Sequence, residues 1–153
     1  MSKNLRIALE KYAKVIENEY RQQMIANDLV ASGASIKQVR AFVTETAPNI
    51  LSIKMPINKP LAYVEFGRRS GTPPPIAKIR DWMRTKGIEG ATDKKTKSIA
   101  WKISQNIGAR GTIQRFGYKG ANLSSLVVQS IQTRLTSDIT DAFIKDLRDI
   151  LDA

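Results

Sequence analysis

The 153-residue chain contains no cysteine and no histidine. Without cysteine there is no disulfide framework, no thiolate metal site and no cysteine nucleophile. Without histidine the commonest general base and the commonest zinc ligand are missing too. No apolar run approaches the roughly 20 residues that a membrane-spanning helix needs. The opening stretch Ser2-Lys3-Asn4-Leu5-Arg6 leads into a polar-rich helical pattern rather than a signal-peptide core. A chain made and kept in a cytoplasm, with no membrane partner, is the expectation. Acids are scarce, 14 against 25 Lys and Arg for a net charge of +11. There is no Walker loop, dinucleotide fingerprint or nucleophile elbow, so neither catalysis nor a cofactor is expected. A nuclease built on carboxylate-held metal is a third, weaker reading, with Glu65 and Asp81 as its acids. The proline turn between those two residues leaves nothing in the sequence to bring them together.

What the chain has in quantity is positive charge in one place. Residues 1–57 hold eight Lys and Arg against five acids, residues 58–121 hold 14 against four, and residues 122–153 hold three against five. The excess runs through Arg68, Arg69, Lys78, Arg80, Arg84, Lys86, Lys94, Lys95, Lys97, Lys102, Arg110, Arg115 and Lys119. Such a concentration attracts a polyanion or an acidic protein face, and nucleic acid is the first partner to consider. The run lacks the aromatic interleaving of a single-strand platform, and no helix-turn-helix can be assigned in it. Charge alone is equally well read as a basic surface that aids solubility.

The length suits one domain, 1–153, and the 42% hydrophobic share is that of an ordinary globular protein. Leu5, Ala8, Leu9, Tyr12, Val15, Ile16, Tyr20 and Met24 recur at spacings of three and four, which predicts an amphipathic helix over residues 4 to about 31, stopped near Gly33. Val39, Ala41 and Val43 then alternate, as do Leu51, Ile53, Met55 and Ile57. This predicts two strands joined at Glu45-Thr46-Ala47-Pro48-Asn49 into an antiparallel hairpin that packs on helices or extends a sheet across a subunit boundary. The stretch Ala91–Lys97 reads as a mobile loop. Ile99, Ala100, Ile103 and Ile107 predict a short helix ending near Gly108–Gly111. Residues 111–122 read as an irregular, flexible arm. Leu126 to Leu151 predicts one long helix, or two broken near Thr136-Ser137. The whole describes an α+β domain in which helix dominates: a long first helix, a small antiparallel sheet, several short helices and a terminal helix.

The most informative stretch is Leu61–Ile88. Ala62 to Phe66 ends on Gly67, suited to a helix C-cap. Arg68 and Arg69 follow on a turn, and Pro73, Pro74 and Pro75 hold the chain extended. Pro75 fits the first position of a helix bearing Ile76, Ile79, Trp82 and Met83. Trp82 and Trp101 read as core residues, Phe143 as packing only, and Glu65 as a member of an ion pair within or between subunits.

The succession Tyr63-Val64-Glu65-Phe66-Gly67-Arg68-Arg69, Pro73-Pro74-Pro75-Ile76, Ile79-Arg80-Asp81-Trp82, Lys86-Gly87-Ile88, and Ala100 to Ile103 with Ala109-Arg110-Gly111-Thr112, resembles the tail-completion or head-to-tail joining proteins of tailed bacteriophages, from Leu5 to about Thr112. The long first helix leading into Ser32-Gly33-Ala34 and a hairpin is similar too. Where the family commonly carries a proline and aromatic segment, this chain has Gly117-Tyr118-Lys119-Gly120. The resemblance implies a structural virion protein, assembled in the host cytoplasm, that forms a ring of six or twelve copies in the neck. Such a ring sits between portal-side neck proteins and the tail, and genomic DNA passes through its lumen without sequence specificity. On that basis Glu65, Arg68, Arg69, Lys94, Lys95, Lys97, Arg110, Arg115 and Lys119 are candidates for subunit interfaces or the DNA lumen. A basic DNA-binding accessory protein is the alternative.

Overall fold

The first helix, α1 (Lys3–Ala26), buries Leu9, Tyr12, Ala13, Tyr20 and Met24 along one stripe at helical spacing, together with the carboxylate of Glu17. In a computed structural model that describes residues 3–30, 33–48, 50–88, 90, 92–117 and 119–152, and only the backbone of residues 34 and 114–116, the order continues as α2 (Ala34–Gln38), β1 (Phe42–Ala47), β2 (Ile50–Lys54), α3 (Lys59–Phe66), α4 (Ile76–Thr85), α5 (Asp93–Phe116) and α6 (Leu123–Leu151). The fold is α+β and predominantly helical, with a two-stranded antiparallel sheet. Among the described residues no helix is long and apolar enough to cross a membrane. The backbone divides into two compact units, one of residues 1–26, 38–57 and 123–153, the other of residues 27–37 and 58–122.

In the first unit α6 runs antiparallel to α1 and buries Leu123, Val127 and Ile131, one residue per turn. The pair is locked at its open end by a cap supplied from afar. The first N–H groups of a helix have no partner within it, and Asp146 of α6 serves two of those of α1. Its Oδ1 accepts from the Asn4 N–H at 3.0 Å and its Oδ2 from the Leu5 N–H at 3.0 Å. Burial works against the charged form of Asp146, but these bonds and one from the Asn4 side chain hold its carboxyl below the usual range. Farther along, Asp138 accepts from Lys11 Nζ at 2.8 Å and from the Tyr12 hydroxyl at 3.0 Å. The hairpin pairs Phe42 with Lys54 and Val43 with Ile53, with an irregularity between Glu45 and Ala47. Two strands alone are marginal in water, and these lie against α1. Glu17 anchors their lead-in, accepting from the Ala41 N–H at 2.8 Å and from Arg21 at 3.2 Å.

Several expectations need correction. The first helix stops at Ala26, and the short α2 forms where only a stop was foreseen. Val39 and Ala41 are buried but precede the strand, and β2 ends at Lys54, before Met55 and Ile57. The hairpin turn is tighter than Glu45–Asn49, since pairing reaches Ala47 and Ile50; Asn49 lies outside the described residues, as do Ala31 and Ser32 beside the expected stop. The last helix is unbroken through Thr136 and Ser137.

In the second unit α3 starts at the N-cap Asn58, whose side chain accepts from the Leu61 N–H at 2.9 Å, and ends on Gly67 as expected. Pro75 sits one position earlier than predicted, as the N-cap of α4. The largest correction concerns residues 92–116. Thr92 caps α5 by accepting from the Lys95 N–H at 3.2 Å, so Asp93–Lys97 is the first turn of a helix instead of a loop. Ala91 lies outside the described residues. The expected helix end near Gly108–Gly111 becomes a kink at Gly111 (φ 66°, ψ −170°), after which the helix resumes to Phe116. Only the stretch after Gly117 keeps the irregular backbone expected of residues 111–122, and Tyr118 lies outside the described residues.

Candidate functional site

The turn that carries Arg68 and Arg69 is fastened through its backbone to α5. The Arg68 C=O accepts from the Thr112 N–H at 2.8 Å, and the Arg68 N–H donates to the Thr112 hydroxyl at 2.8 Å. The Gly71 N–H donates to the Gly108 C=O at 2.7 Å, and the Ser104 hydroxyl donates to the Pro74 C=O at 2.6 Å. Gly111 makes this approach possible. A Cβ there would lie 2.2 Å from the Arg68 carbonyl oxygen, and its backbone angles are ones that essentially only glycine adopts. The glycine-rich segment does the same at the end of α3. Ala121 and Asn122 donate their N–H groups to the carbonyls of Val64 and Glu65 at 2.8 and 3.2 Å, with Gly120 pressed against the latter.

The turn therefore presents its side chains from a fixed frame. The Arg68 guanidinium lies over the Tyr63 ring at 5.2 Å from the centroid and donates to the Thr72 carbonyl, while Arg69 is exposed. Beside them runs a groove of about 760 Å³ lined by Pro60, Tyr63, Pro74, Ile79, Trp82, Ile103 and Ile107, with Arg68, Lys78 and Thr112. Trp82 is thus not a core residue. It is 40% exposed and forms a wall of the groove, and Trp101 is 53% exposed. Phe143, also expected to be packed, is 49% exposed on α6. Glu65 is 1% exposed, so its side chain faces the interior of its own chain.

The other basic candidates sit along α5 and the segment after it. Lys94 and Lys95 are exposed on its first turn. Lys97 pairs with Asp93 at 2.8 Å, and Arg80 of α4 reaches the same carboxylate at 2.9 Å. The hydrogen bond from Lys97, with the nearby Arg80, holds the Asp93 carboxyl below its usual range. Arg110 and Lys119 are exposed, whereas the side chain of Arg115 lies outside the described residues. The candidates do not converge on one point. Among the described residues no three Asp, Glu, His or Cys side chains gather where they could hold a metal ion.

Sequence reasoning missed Tyr63 as the platform for Arg68, and it missed Lys78 and Trp82 as groove walls. The spacing of Tyr63 and Arg68, five residues apart across a helix cap, gave no signal for their stacking. The Arg-Gly-Thr at 110–112 was visible, but its reason is an approach to a backbone some forty residues away. Comparison with models of protein families, with curated proteins and with solved structures found no match to this chain.

Proposed function

We propose that this chain is a structural subunit of the neck of a tailed bacteriophage. It forms a homo-oligomeric ring of six or twelve copies that completes the tail and joins it to the DNA-filled head. The observation that carries this reading is the fastened arginine turn. Hydrogen bonds to α5 at Arg68, Gly71 and Pro74 hold the Arg68–Pro74 backbone, so a basic edge and an apolar groove are presented together in one rigid frame. A surface ordered before binding loses less entropy when a partner arrives, which suits a docking role better than a chemical one. The partition of charge supports it further. Residues 27–37 and 58–122 hold 15 Lys and Arg against five acids, while the rest of the chain holds ten against nine. A basic face of this kind fits either the acidic face of a neighbouring neck or tail protein or the phosphates of DNA in transit, with no reaction catalysed.

Light scattering on the purified protein, at low and high salt and with and without duplex DNA, tests the reading. A discrete ring is the expected outcome. The exposed Lys94 and Lys95 at the head of α5 keep the DNA-binding accessory protein in view. A monomer or dimer that binds duplex tightly and releases it as salt rises puts that reading first. Within the ring reading, Arg69→Glu, alone and combined with Arg68→Glu, is expected to impair assembly while circular dichroism stays that of the parent. Arg69→Glu alone is the cleaner probe, because the Arg68 side chain is also held within its own subunit.

A further inference from the structure

Two features of the chain match each other. One is the groove walled by Trp82, Ile79 and Ile107, with Arg68 and Lys78 among its lining residues. The other is the carboxy-terminal end of α6, where Phe143, Leu147, Ile150 and Leu151 are 49, 46, 72 and 83% exposed. These four follow the i, i+4, i+7, i+8 spacing by which a helix lays an apolar stripe into a groove. Their charges are opposite as well. Beyond Asp138 and Asp146, which serve α1, residues 138–152 hold Asp141, Asp149 and Asp152 against Lys145 and Arg148, and the last carbonyls of a helix add partial negative charge at that end. The groove belongs to the residues that carry the basic excess.

We propose that this end of α6 in one copy seats in the groove of a second copy, Ile150 and Leu147 against Trp82, with Lys78 and Arg68 facing the acidic helix end. The proposal rests on the ring reading above and names the contact that makes the ring. It joins two different surfaces of the same chain, so each copy offers one of each, and a head-to-tail contact of this type closes into a ring when its rotation permits.

Because the chain has no native cysteine, the contact can be trapped selectively. Two full-length variants, Ile150→Cys and Lys78→Cys, are mixed in equal amounts and oxidised, and the oligomer mass of the unmodified protein is measured by light scattering. The mixed disulfide is expected in several-fold excess over either symmetric one, and is expected to disappear when Lys78→Cys also carries Trp82→Glu. Trp82→Glu alone is expected to be monomeric with unchanged circular dichroism. If that variant fails to fold, Lys78→Glu takes its place, with a weakened oligomer expected. A ring of the unmodified protein with a statistical mixture of disulfides, or a ring that survives Trp82→Glu, overturns the docking while leaving the ring reading intact. A mixed disulfide in excess from a protein that never exceeds a pairwise complex supports the docking and overturns the ring reading. A monomer with no preferred disulfide overturns both.

Discussion

Glu17 shows how much one side chain can hold. It is 4% exposed on α1, where burial opposes its charge, yet the bond from the Ala41 N–H and the neighbouring Lys14 and Arg21 keep its carboxyl below the usual range. Removing an acceptor that serves a buried N–H leaves that donor without a partner, and hydrogen bonds to charged groups contribute about 1.5–3 kcal/mol each. Glu17→Ala is therefore expected to lower stability by about 2–3 kcal/mol in urea denaturation; a change within experimental error would remove Glu17 as the anchor of the hairpin. The same carboxylates set the acid response. Glu17, Asp146, Asp138 and Asp93 are all depressed in the folded state. A depressed carboxylate stabilises the fold at pH above its unfolded value and loses that contribution as pH falls through its folded value. Stability is expected to be level from neutrality to about pH 4.5, the ordinary value for Glu, and to fall below it. Thermal melts from pH 7 to pH 2 check this, and a decline that begins at pH 6 would contradict it. At this scale the sequence was partly legible. The stripe of α1 was readable because burial follows its period, but Trp82 and Trp101 were misread as core. Periodicity says which residues share a face and not whether anything covers that face.

Among the elements, α5 departs furthest from its reading, and the reason is a competition the sequence does not display. The basic, polar stretch before Ile99 looks like a loop by composition, yet Thr92 caps it and Asp93 pairs with Lys97 one turn on, which is enough to begin a helix. Of the glycines that suggested an arm, Gly111 and Gly120 are tertiary devices. Gly111 and Gly117 separate the two possible roles of such a residue. Both have positive φ, but a Cβ at Gly111 would strike the Arg68 carbonyl, whereas one at Gly117 meets open space. Gly117→Ala is expected to cost only the conformational strain of a non-glycine residue there, about 1–2 kcal/mol. Gly111→Ala is expected to cost more, since strain of up to about 3 kcal/mol adds to displacement of the arginine turn. Thermal denaturation of the two variants side by side is the check, and equal losses would mean that the turn is not held against α5. The hairpin, by contrast, was legible in kind though not in extent, because alternation marks a strand but does not say where pairing stops.

On the scale of the whole chain, the basic excess coincides with one compact unit and the long antiparallel pair α1 and α6 with the other. Neither partition was visible in a reading that took the chain as one domain, because the first unit gathers three separated stretches of sequence. Its integrity depends on a contact between residues more than a hundred positions apart, such as Asn4 with Asp146. Asp146→Ala, which strips the cap from α1, is expected to speed hydrogen exchange in α1 and α6 while amides of α3, α4 and α5 keep their protection. Equal loss throughout would show that the two units open together.

The Asn4–Asp146 cap also fixes an order of events during synthesis. Residues 58–122 leave the ribosome as a nearly complete unit, with the turn, its clasp on α5 and the groove all within reach of one another. The first helix, made earliest, must wait for α6 before its exposed start is served and its apolar stripe covered. Under the contact proposed above, a nascent chain would present its groove before the α6 end of the same chain has emerged.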